Sequence, residues 1–263
     1  MQEELRAVLE TIKKAGKAAM AFYDEGNEIS YKEGASPLTK ADLASEKALL
    51  EGLRPFNYGI LSEETDEEND RLNKEKVWII DPLDGTKDFI QKTGDFSIIV
   101  GLVENGQPML GAVYQPGLDR LFYAVKGKGA FLVENGKKKK LRVSNTDSFE
   151  QMKLLASRNH LQDLEVKFAE KVQISEFVKS GSAGLKVAKV ASADGDIYMN
   201  TSDRTYEWDI CGGAIIIKEA GGAITDMNGK DFVFNKPDPR NKEGFVVSNN
   251  KNHSEIIQIL GEI

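Results

Sequence analysis

The chain has 263 residues and a net charge of −7, with one cysteine and two histidines. This length allows a sizeable core, either in one large domain or in two closely packed lobes. The acidic balance argues against a general nucleic-acid binder, and one cysteine excludes an internal disulfide framework. With two histidines, a zinc or iron site rich in histidine and cysteine is implausible, so a bound metal would sit among oxygens. The sequence shows neither a signal peptide nor an apolar run of membrane-spanning length, and we expect a soluble, cytoplasmic protein.

Hydrophobic periodicity predicts helices at the start of the chain. Apolar residues recur every three to four positions over residues 3–23, and a second helix is expected over residues 40–53. Thr39 is placed to cap that second helix, with Asp42 three residues later. A short strand over residues 57–61 then precedes an acidic run.

The acidic run over residues 63–70 is typical of a solvated loop. Residues 77–81 predict a strand with little alternation, as expected when both faces are covered. From residue 96 onward, apolar runs separated by Gly- and Asn-containing turns predict an antiparallel β meander. Its four predicted strands cover residues 97–103, 109–114, 121–125 and 130–133.

The second half of the chain has a different, α/β pattern. The predicted strands cover residues 153–156, 197–199, 223–225 and 244–247, and the best helices cover residues 183–193, 208–220 and 254–260. We interpret residues 134–140, which end in four lysines, as a charged surface turn and as the best internal boundary. The pattern predicts layers of helices and sheets (α+β and α/β) in two subdomains, residues 1–140 and 141–263, that share one interface.

Residues 81–86, Asp-Pro-Leu-Asp-Gly-Thr, combine features of a metal site and a phosphate site. Asp81 and Asp84 follow a buried strand, and the turn exposes the Leu83 carbonyl as a further oxygen ligand for a hard cation. Gly85 permits close backbone approach, and Thr86 supplies an amide and a hydroxyl where a helix begins. Asp-Pro and Asp-Gly are also ordinary turn sequences, so this motif alone leaves a simple turn about equally open.

Three other acidic residues have a functional and a structural interpretation. Glu63 follows a short apolar strand and could lie beside the metal motif, but in isolation a surface acid in an acidic run is the stronger interpretation. Asp209 opens an apolar helix, where an aspartate is usually a cap or a first-turn residue. Asp42 has the same interpretation at the second helix.

Taken together and in this order, these motifs resemble the inositol monophosphatase superfamily of magnesium-dependent, lithium-sensitive phosphatases. The resemblance rests on Ser62-Glu63-Glu64, on residues 81–86, and on Trp208-Asp209 followed by Glu-Ala-Gly-Gly over residues 219–222. It implies a layered αβαβα sandwich. It also implies two or three Mg²⁺ ions per site, for which Mn²⁺ can substitute, and in-line attack by an activated water without a covalent intermediate.

The resemblance also assigns roles to individual residues. The implied metal ligands are Glu63, Asp81, the Leu83 carbonyl, Asp84 and Asp209. Asp42 and Thr86 match the pair that orients and deprotonates the attacking water. Glu63 is also counted as a catalytic residue, because it would bind a metal ion. The Gly85 and Thr86 amides would hold phosphoryl oxygens.

The flanking residues resemble the 3′(2′),5′-bisphosphate nucleotidase (CysQ-type) branch of the superfamily. Lys87-Asp88-Phe89 is similar to the Lys-Glu-Phe of that branch, whereas inositol phosphatases usually carry Thr-Asn-Phe. The residues that would contact the nucleotide by this likeness are Lys87, Ser157, His160, Ser182, Lys186 and, on the second phosphate, Arg204. The structural alternatives are that His160 is a surface loop residue, that Lys186 is a solvated helix residue and that Ser182 caps a helix. Asp88 in place of glutamate is one departure from the branch, and Cys211-Gly212-Gly213 is another.

The sequence therefore predicts a Mg²⁺-dependent phosphomonoesterase that converts adenosine 3′,5′-bisphosphate to AMP and phosphate, in sulfate assimilation or sulfonation. The alternatives are an inositol or sugar monophosphatase, including activity on fructose 1,6-bisphosphate, and a non-catalytic interaction protein with a residual metal site. The expected partner is a small phosphorylated metabolite, with no nucleic-acid polymer and no membrane span. The chain is expected to be a monomer or a homodimer.

Overall fold

The structure is a computed structural model that describes residues 1–23, 30–31, 37–65, 69–158 and 161–263. Within these ranges the helices are α1 Gln2–Met20, α2 Lys40–Leu53, α3 Thr86–Ile90, α4 Asp163–Val172, α5 Ala183–Ala191, α6 Glu207–Glu219 and α7 His253–Leu260. The strands are β1 Ser30–Tyr31, β2 Pro37–Leu38, β3 Gly59–Ser62, β4 Lys76–Asp84, β5 Ser97–Glu104, β6 Gln107–Gln115, β7 Arg120–Val125, β8 Gly129–Glu134, β9 Lys137–Lys140, β10 Lys153–Ser157, β11 Glu176–Ser180, β12 Ile197–Asn200, β13 Ala223–Thr225 and β14 Phe245–Ser248. No helix of these described ranges is both long enough and apolar enough to cross a membrane.

The strands form two large sheets and one small pair. A seven-stranded sheet runs in the order β3-β4-β5-β6-β7-β8-β9, in which β3 and β4 are parallel and every later neighbour is antiparallel. A five-stranded mixed sheet has the order β11-β10-β12-β14-β13, with its parallel strands at one end. Strands β1 and β2 pair with each other.

Helices and sheets alternate in five layers. One apolar core joins α1 and α2 to one face of the seven-stranded sheet, where Trp78 and Ile80 are fully buried. A second core places α5 and α6 between the two sheets. A third packs α4 and α7, through Phe168 and Ile256, against the far face of the five-stranded sheet. The expected αβαβα sandwich is therefore confirmed.

Strand β4 and helix α2 show how the sequence brings polar groups to the site. Residues 77–80 are apolar on both faces because helices cover the sheet from both sides. The pairing of β4 with β5 shifts between Asp81 and Asp84, so the chain bulges at the predicted metal motif. At the start of α2, the Thr39 hydroxyl accepts from the Ala41 amide and Asp42 accepts from the Thr39 amide, as the sequence predicts.

Helix α6 lies very close to the seven-stranded sheet. A Cβ atom on Gly212 would come within 2.8 Å of the Val100 carbonyl oxygen and 3.0 Å of that of Ala112. Only a residue without a side chain permits this approach. Glycine at position 212 is therefore required by the packing of α6 against the sheet.

Strands β9 and β11 differ from the sequence interpretation, and the short strands β1 and β2 were not predicted either. The four lysines predicted as a surface turn instead form β9, the outermost strand of the seven-stranded sheet, with the turn confined to residues 135–136. Strand β11 at the edge of the five-stranded sheet was not predicted. The acidic run lies partly outside the described residues, and the subdomain division at residue 140 stays a prediction.

Candidate active site

A cavity of about 650 Å³ opens between the two sheets, and most of the predicted site residues line it. Strand β4 and the start of α3 supply Asp81, Leu83, Asp84, Gly85, Thr86 and Lys87, and the end of β3 supplies Glu63. The second half of the chain supplies Ser157, Ser182, Lys186, Arg204 and Asp209. Asp42 lies behind this lining and reaches the site through Thr86.

Three aspartates meet in the cavity, Asp81 and Asp84 buried and Asp209 half-buried. One carboxylate oxygen each from Asp81, Asp84 and Asp209 can be chosen so that all three lie within 4.8 Å of one another. Burial raises the pKa of Asp81 well above its usual range, and the charges of Glu63, Asp84 and Asp209 raise it further. Burial and the Asp84 charge likewise raise the pKa of Asp209. A cation bound among these carboxylates would stabilise their ionised forms and offset their mutual repulsion.

The start of helix α5 fixes the orientation of Asp84. Its Oδ2 atom accepts hydrogen bonds from the Ser182 hydroxyl at 2.5 Å and from the Gly184 amide at 2.8 Å. Ser182 adopts a left-handed backbone conformation, with φ at 35°. Such a conformation costs about 1–3 kcal/mol in a residue with a side chain, and strained residues of this kind cluster at functional sites.

Thr86 and Asp42 form a hydrogen-bonded pair at the edge of the cavity. Thr86 Oγ1 lies 3.2 Å from Asp42 Oδ1 and 3.2 Å from the Leu83 carbonyl oxygen. The other Asp42 oxygen accepts from the Thr39 amide and hydroxyl, at 2.8 and 2.6 Å. The carboxylate that faces Thr86 is therefore held from behind by the cap of α2.

Internal hydrogen bonds hold the turn over residues 81–86. The Leu83 amide donates to Asp81 Oδ1 at 2.9 Å, and the Ser45 hydroxyl on α2 donates to the Pro82 carbonyl at 2.6 Å. Gly85 has φ at 93°, and a Cβ there would lie 3.2 Å from the Ser182 amide nitrogen. The turn needs glycine at this position both for its backbone conformation and for the close approach of α5.

The predicted substrate residues fall into two groups. Lys87 and Arg204 are exposed at the cavity, and Ser157 is half-buried there. Ser182 and Lys186 are almost fully buried, and their polar atoms already have protein partners. His160 lies outside the described residues. Substrate contact by each of these residues stays a prediction, and the contacts of Ser182 and Lys186 favour an indirect role.

Lys186 is a buried cation in the cavity wall. Its ammonium group donates to the carbonyl oxygens of Gly181 at 2.7 Å and Ser182 at 3.0 Å, and lies 5.0 Å from the centre of the Tyr198 ring. Burial lowers the pKa of Lys186 to about 8, although the charges of Asp84 and Asp88 oppose that shift. The lysine thus stabilises the turn from which Ser182 reaches Asp84.

Sequence reasoning missed part of the cavity wall. Glu165 is 2 % exposed, accepts from the Gln162 amide at 2.8 Å, and has a pKa that burial raises to about 7. Tyr206 and Trp208 stack in parallel, with ring centroids 4.5 Å apart. Glu165 lies three residues after Gln162, as in a capping box, but glutamine is not among the preferred cap residues, so no strong sequence signal marks Glu165.

The donor set fits a hard divalent cation. Carboxylate and carbonyl oxygens are the ligands that Mg²⁺ and Mn²⁺ prefer, and the cluster holds no histidine or thiol among the described residues. Asp81, Asp84 and Asp209 are the residues that would hold the ion, and Glu63 and the Leu83 carbonyl line the same cavity.

The chain thus combines a layered αβαβα sandwich with an acidic cluster that could hold a metal ion. A family model for the inositol monophosphatase family matches residues 1–263, and the chain belongs to that family.

Among characterised relatives, the chain is 33 % identical to the 3′(2′),5′-bisphosphate nucleotidase CysQ of Aggregatibacter actinomycetemcomitans, over 93 % of this chain and 90 % of that protein. It is also 33 % identical to the fructose-1,6-bisphosphatase/inositol-1-monophosphatase of Thermotoga maritima, over 97 % of this chain and 94 % of that protein.

Solved structures give the same two likenesses. The Thermotoga maritima IMPase superposes with a TM-score of 0.84 at 31 % identity, covering 100 % of this chain and 98 % of that one. CysQ from Bacteroides thetaiotaomicron superposes with a TM-score of 0.83 at 27 % identity, covering 94 % of this chain and 97 % of that one. The chain is thus an enzyme of the inositol monophosphatase family, and both substrate branches are represented among its relatives.

Proposed function

We propose that the protein is a Mg²⁺-dependent 3′(2′),5′-bisphosphate nucleotidase that hydrolyses adenosine 3′,5′-bisphosphate to AMP and phosphate. The observation that carries the phosphatase chemistry is the meeting of Asp81, Asp84 and Asp209 in one cavity. The choice of substrate is supported by the resemblance to CysQ proteins and by the cationic side chains of Lys87 and Arg204 beside that cavity.

Divalent cations bound to these carboxylates would supply Lewis acidity, which polarises the phosphoryl group and lowers the pKa of a bound water. The side chains and amides of the protein orient the phosphoryl group and the attacking water. The amides of Gly85 and Thr86 donate to phosphoryl oxygens, and Thr86 Oγ1 accepts a proton from the attacking water as its own hydrogen passes to Asp42 Oδ1. The water oxygen bonds to phosphorus, and the bond from phosphorus to the ribose 3′ oxygen breaks. That oxygen takes a proton from a solvent water to become the 3′ hydroxyl of AMP, and Asp42 then returns its own proton to solvent.

The role of the carboxylate cluster is tested by Asp84→Asn. The asparagine carbonyl can still accept from Ser182 and Gly184, so we expect the fold to persist while turnover falls more than about 100-fold. Phosphate release and the melting temperature are the measurements. Asp231→Asn, which changes an exposed carboxylate paired with Lys218, is the matched control and should keep full turnover. Full turnover in Asp84→Asn would reject the proposed site.

Substrate choice is tested by phosphate release from adenosine 3′,5′-bisphosphate, inositol 1-phosphate and fructose 1,6-bisphosphate, each with Mg²⁺. A higher kcat/KM on the nucleotide supports the proposal. The Thermotoga maritima relative makes the sugar phosphatase the second candidate. Preference for either sugar phosphate would establish that candidate instead. We also expect inhibition by lithium and a cytoplasmic role in sulfur metabolism, both from the resemblance to the family.

The second phosphate is tested by removing one charge beside the cavity. Arg204→Gln should raise KM for adenosine 3′,5′-bisphosphate roughly tenfold, because a charge-assisted hydrogen bond to phosphate contributes about 1.5–3 kcal/mol. The KM for inositol 1-phosphate, which has no second phosphate, should stay unchanged. An equal change in both values would show that Arg204 does not distinguish the substrates.

A further inference from the structure

A buried polar bridge joins two segments that bring carboxylates to the cavity. Arg71, only 6 % exposed, lies in the short 3₁₀ helix Asn69–Asn73 that precedes β4. Its guanidinium donates to Asn235 Oδ1 at 2.6 Å and to the Lys236 carbonyl at 3.1 Å. The Asn235 amide group donates back to the Arg71 carbonyl at 3.1 Å. The segment that starts at Asn235 is therefore fastened to the edge of the seven-stranded sheet.

The other side of the same segment is fastened to helix α6. Glu207, the first residue of α6, is 1 % exposed, and its carboxylate accepts from the Asn235 amide at 2.5 Å and from the Lys236 amide at 2.9 Å. The Glu207 amide donates to the Pro239 carbonyl at 2.9 Å. Further along, Asn241 Nδ2 donates to the Tyr206 carbonyl at 2.7 Å. Residues 235–241 thus hold the first turn of α6 through both backbone and side chain.

That first turn determines where Asp209 lies. The Asp209 carboxylate accepts from the Tyr206 amide at 2.5 Å, so a shift of Tyr206 would move one of the three clustered carboxylates. At the other end, Arg71 leads directly into β4, which carries Asp81 and Asp84. Burial of an arginine and a glutamate is costly unless their hydrogen-bonding groups are satisfied, and here each makes two such bonds.

We propose that Arg71, Asn235 and Glu207 are positioning residues that set the separation of Asp209 from Asp81 and Asp84, and so set the affinity of the cluster for a divalent cation. This inference rests on the proposed function only in taking the cluster to bind such a cation. It concerns metal affinity and not the choice of substrate. Outer partners of metal ligands typically change metal affinity 10–100-fold when removed.

The test measures how tightly the metal-free protein binds Mn²⁺. The readout is the electron paramagnetic resonance signal of the free ion. Glu207→Gln removes the charge and keeps one acceptor. Asn235→Gly removes both side-chain hydrogen bonds to Arg71 and keeps the bond from Arg71 to the Lys236 carbonyl and the amide that donates to Glu207. Glycine tolerates the φ of 64° at this position. Asp196→Asn is the matched control: Asp196 is also buried and accepts from the Lys153 amide at 2.7 Å, but it does not line the cavity.

We expect the dissociation constant for Mn²⁺ to rise at least about tenfold in Glu207→Gln and in Asn235→Gly, and to stay unchanged in Asp196→Asn. Melting temperatures and circular dichroism identify any variant that fails to fold. If Glu207→Gln does not fold, the Mn²⁺ affinity of Asn235→Gly, the milder substitution, tests the inference. Destabilisation with unchanged Mn²⁺ affinity would show a purely structural bridge and overturn the inference. Failure of the unsubstituted protein to bind Mn²⁺ would instead reject the proposed metal-dependent function, and the inference with it.

Discussion

Three aspartates at the site each accept a hydrogen bond from a backbone amide at the start of a helix. Asp42 accepts from the Thr39 amide at the start of α2, Asp84 from the Gly184 amide at the start of α5, and Asp209 from the Tyr206 amide at the start of α6. The positive end of each helix stabilises the carboxylate beside it. The cap and the site interpretations that the sequence leaves open are therefore compatible for Asp42 and Asp209.

Sequence distance decides which of these contacts could be predicted. The bond between Thr39 and Asp42 joins residues three apart, and the local motif predicts it. The bond between Ser182 and Asp84 joins residues 98 apart, and the bond between Arg71 and Asn235 joins residues 164 apart. No local pattern encodes such pairs, because they form only when the layers stack.

Glu165 gives a prediction for the pH dependence of stability. Burial raises its pKa from 4.5 to about 7, so the folded protein holds this proton at pH values where the unfolded chain has lost it. The contribution of Glu165 to stability is therefore greatest at low pH and falls as the pH rises from about 4.5 to about 7.

We expect Glu165→Gln, whose side chain stays neutral, to be more stable than the unsubstituted protein by on the order of 1–3 kcal/mol above pH 7. The advantage should vanish near pH 4.5. Urea unfolding of the metal-free proteins across this range is the measurement. An advantage that does not vary with pH would show that Glu165 is already ionised in the fold.

At the scale of secondary structure, most apolar elements agree with the sequence, whereas the polar edge strands β9 and β11 do not. Helix α2 and strand β13 have the expected bounds, since their burial patterns are clear. Strand β9 consists of four exposed lysines, and β11 is largely exposed or half-buried, so neither shows apolar alternation. Their conformation comes from hydrogen bonds to β8 and β10, which a local reading cannot detect.

The start of helix α5 combines backbone strain with a contact to Asp84, and two substitutions at Ser182 separate these effects. Both Ser182→Ala and Ser182→Gly remove the hydroxyl that donates to Asp84, so we expect a similar loss of turnover, roughly 10–100-fold. Only glycine relieves the strain at a φ of 35°. Ser182→Gly should therefore be more stable than Ser182→Ala by on the order of 1 kcal/mol.

Steady-state kinetics and urea unfolding of the two Ser182 variants provide the comparison. Equal stabilities would mean that the left-handed conformation carries no strain. A much smaller loss of turnover in either variant would mean that the Gly184 amide alone suffices to orient Asp84.

At the scale of the whole molecule, the site brings together carboxylates from two layers of the sandwich. Asp81 and Asp84 belong to the seven-stranded sheet, and Asp209 belongs to a helix between the sheets. Their mutual repulsion destabilises the metal-free fold, and a cation bound among them would reverse that effect. Stability should then depend on metal concentration by mass action.

We expect Mg²⁺ at a hundred times its dissociation constant to stabilise the protein by about 2.7 kcal/mol, seen as a melting temperature several degrees higher. Asp209→Asn removes one of the repelling charges and keeps an acceptor for the Tyr206 amide. This variant should melt at a higher temperature than the unsubstituted protein in chelator, and Mg²⁺ should shift its melting temperature little. A full Mg²⁺ shift in Asp209→Asn would exclude Asp209 as a ligand.

The lysine strand at the edge of the seven-stranded sheet has a consequence for solubility. An open strand edge invites pairing with another chain, and a row of four ammonium groups on Lys137–Lys140 makes two such edges repel each other. The repulsion acts over about 10 Å at 0.1 M salt but only about 3 Å at 1 M. The protein is thus protected against edge-to-edge aggregation best in dilute salt, although its net charge is negative.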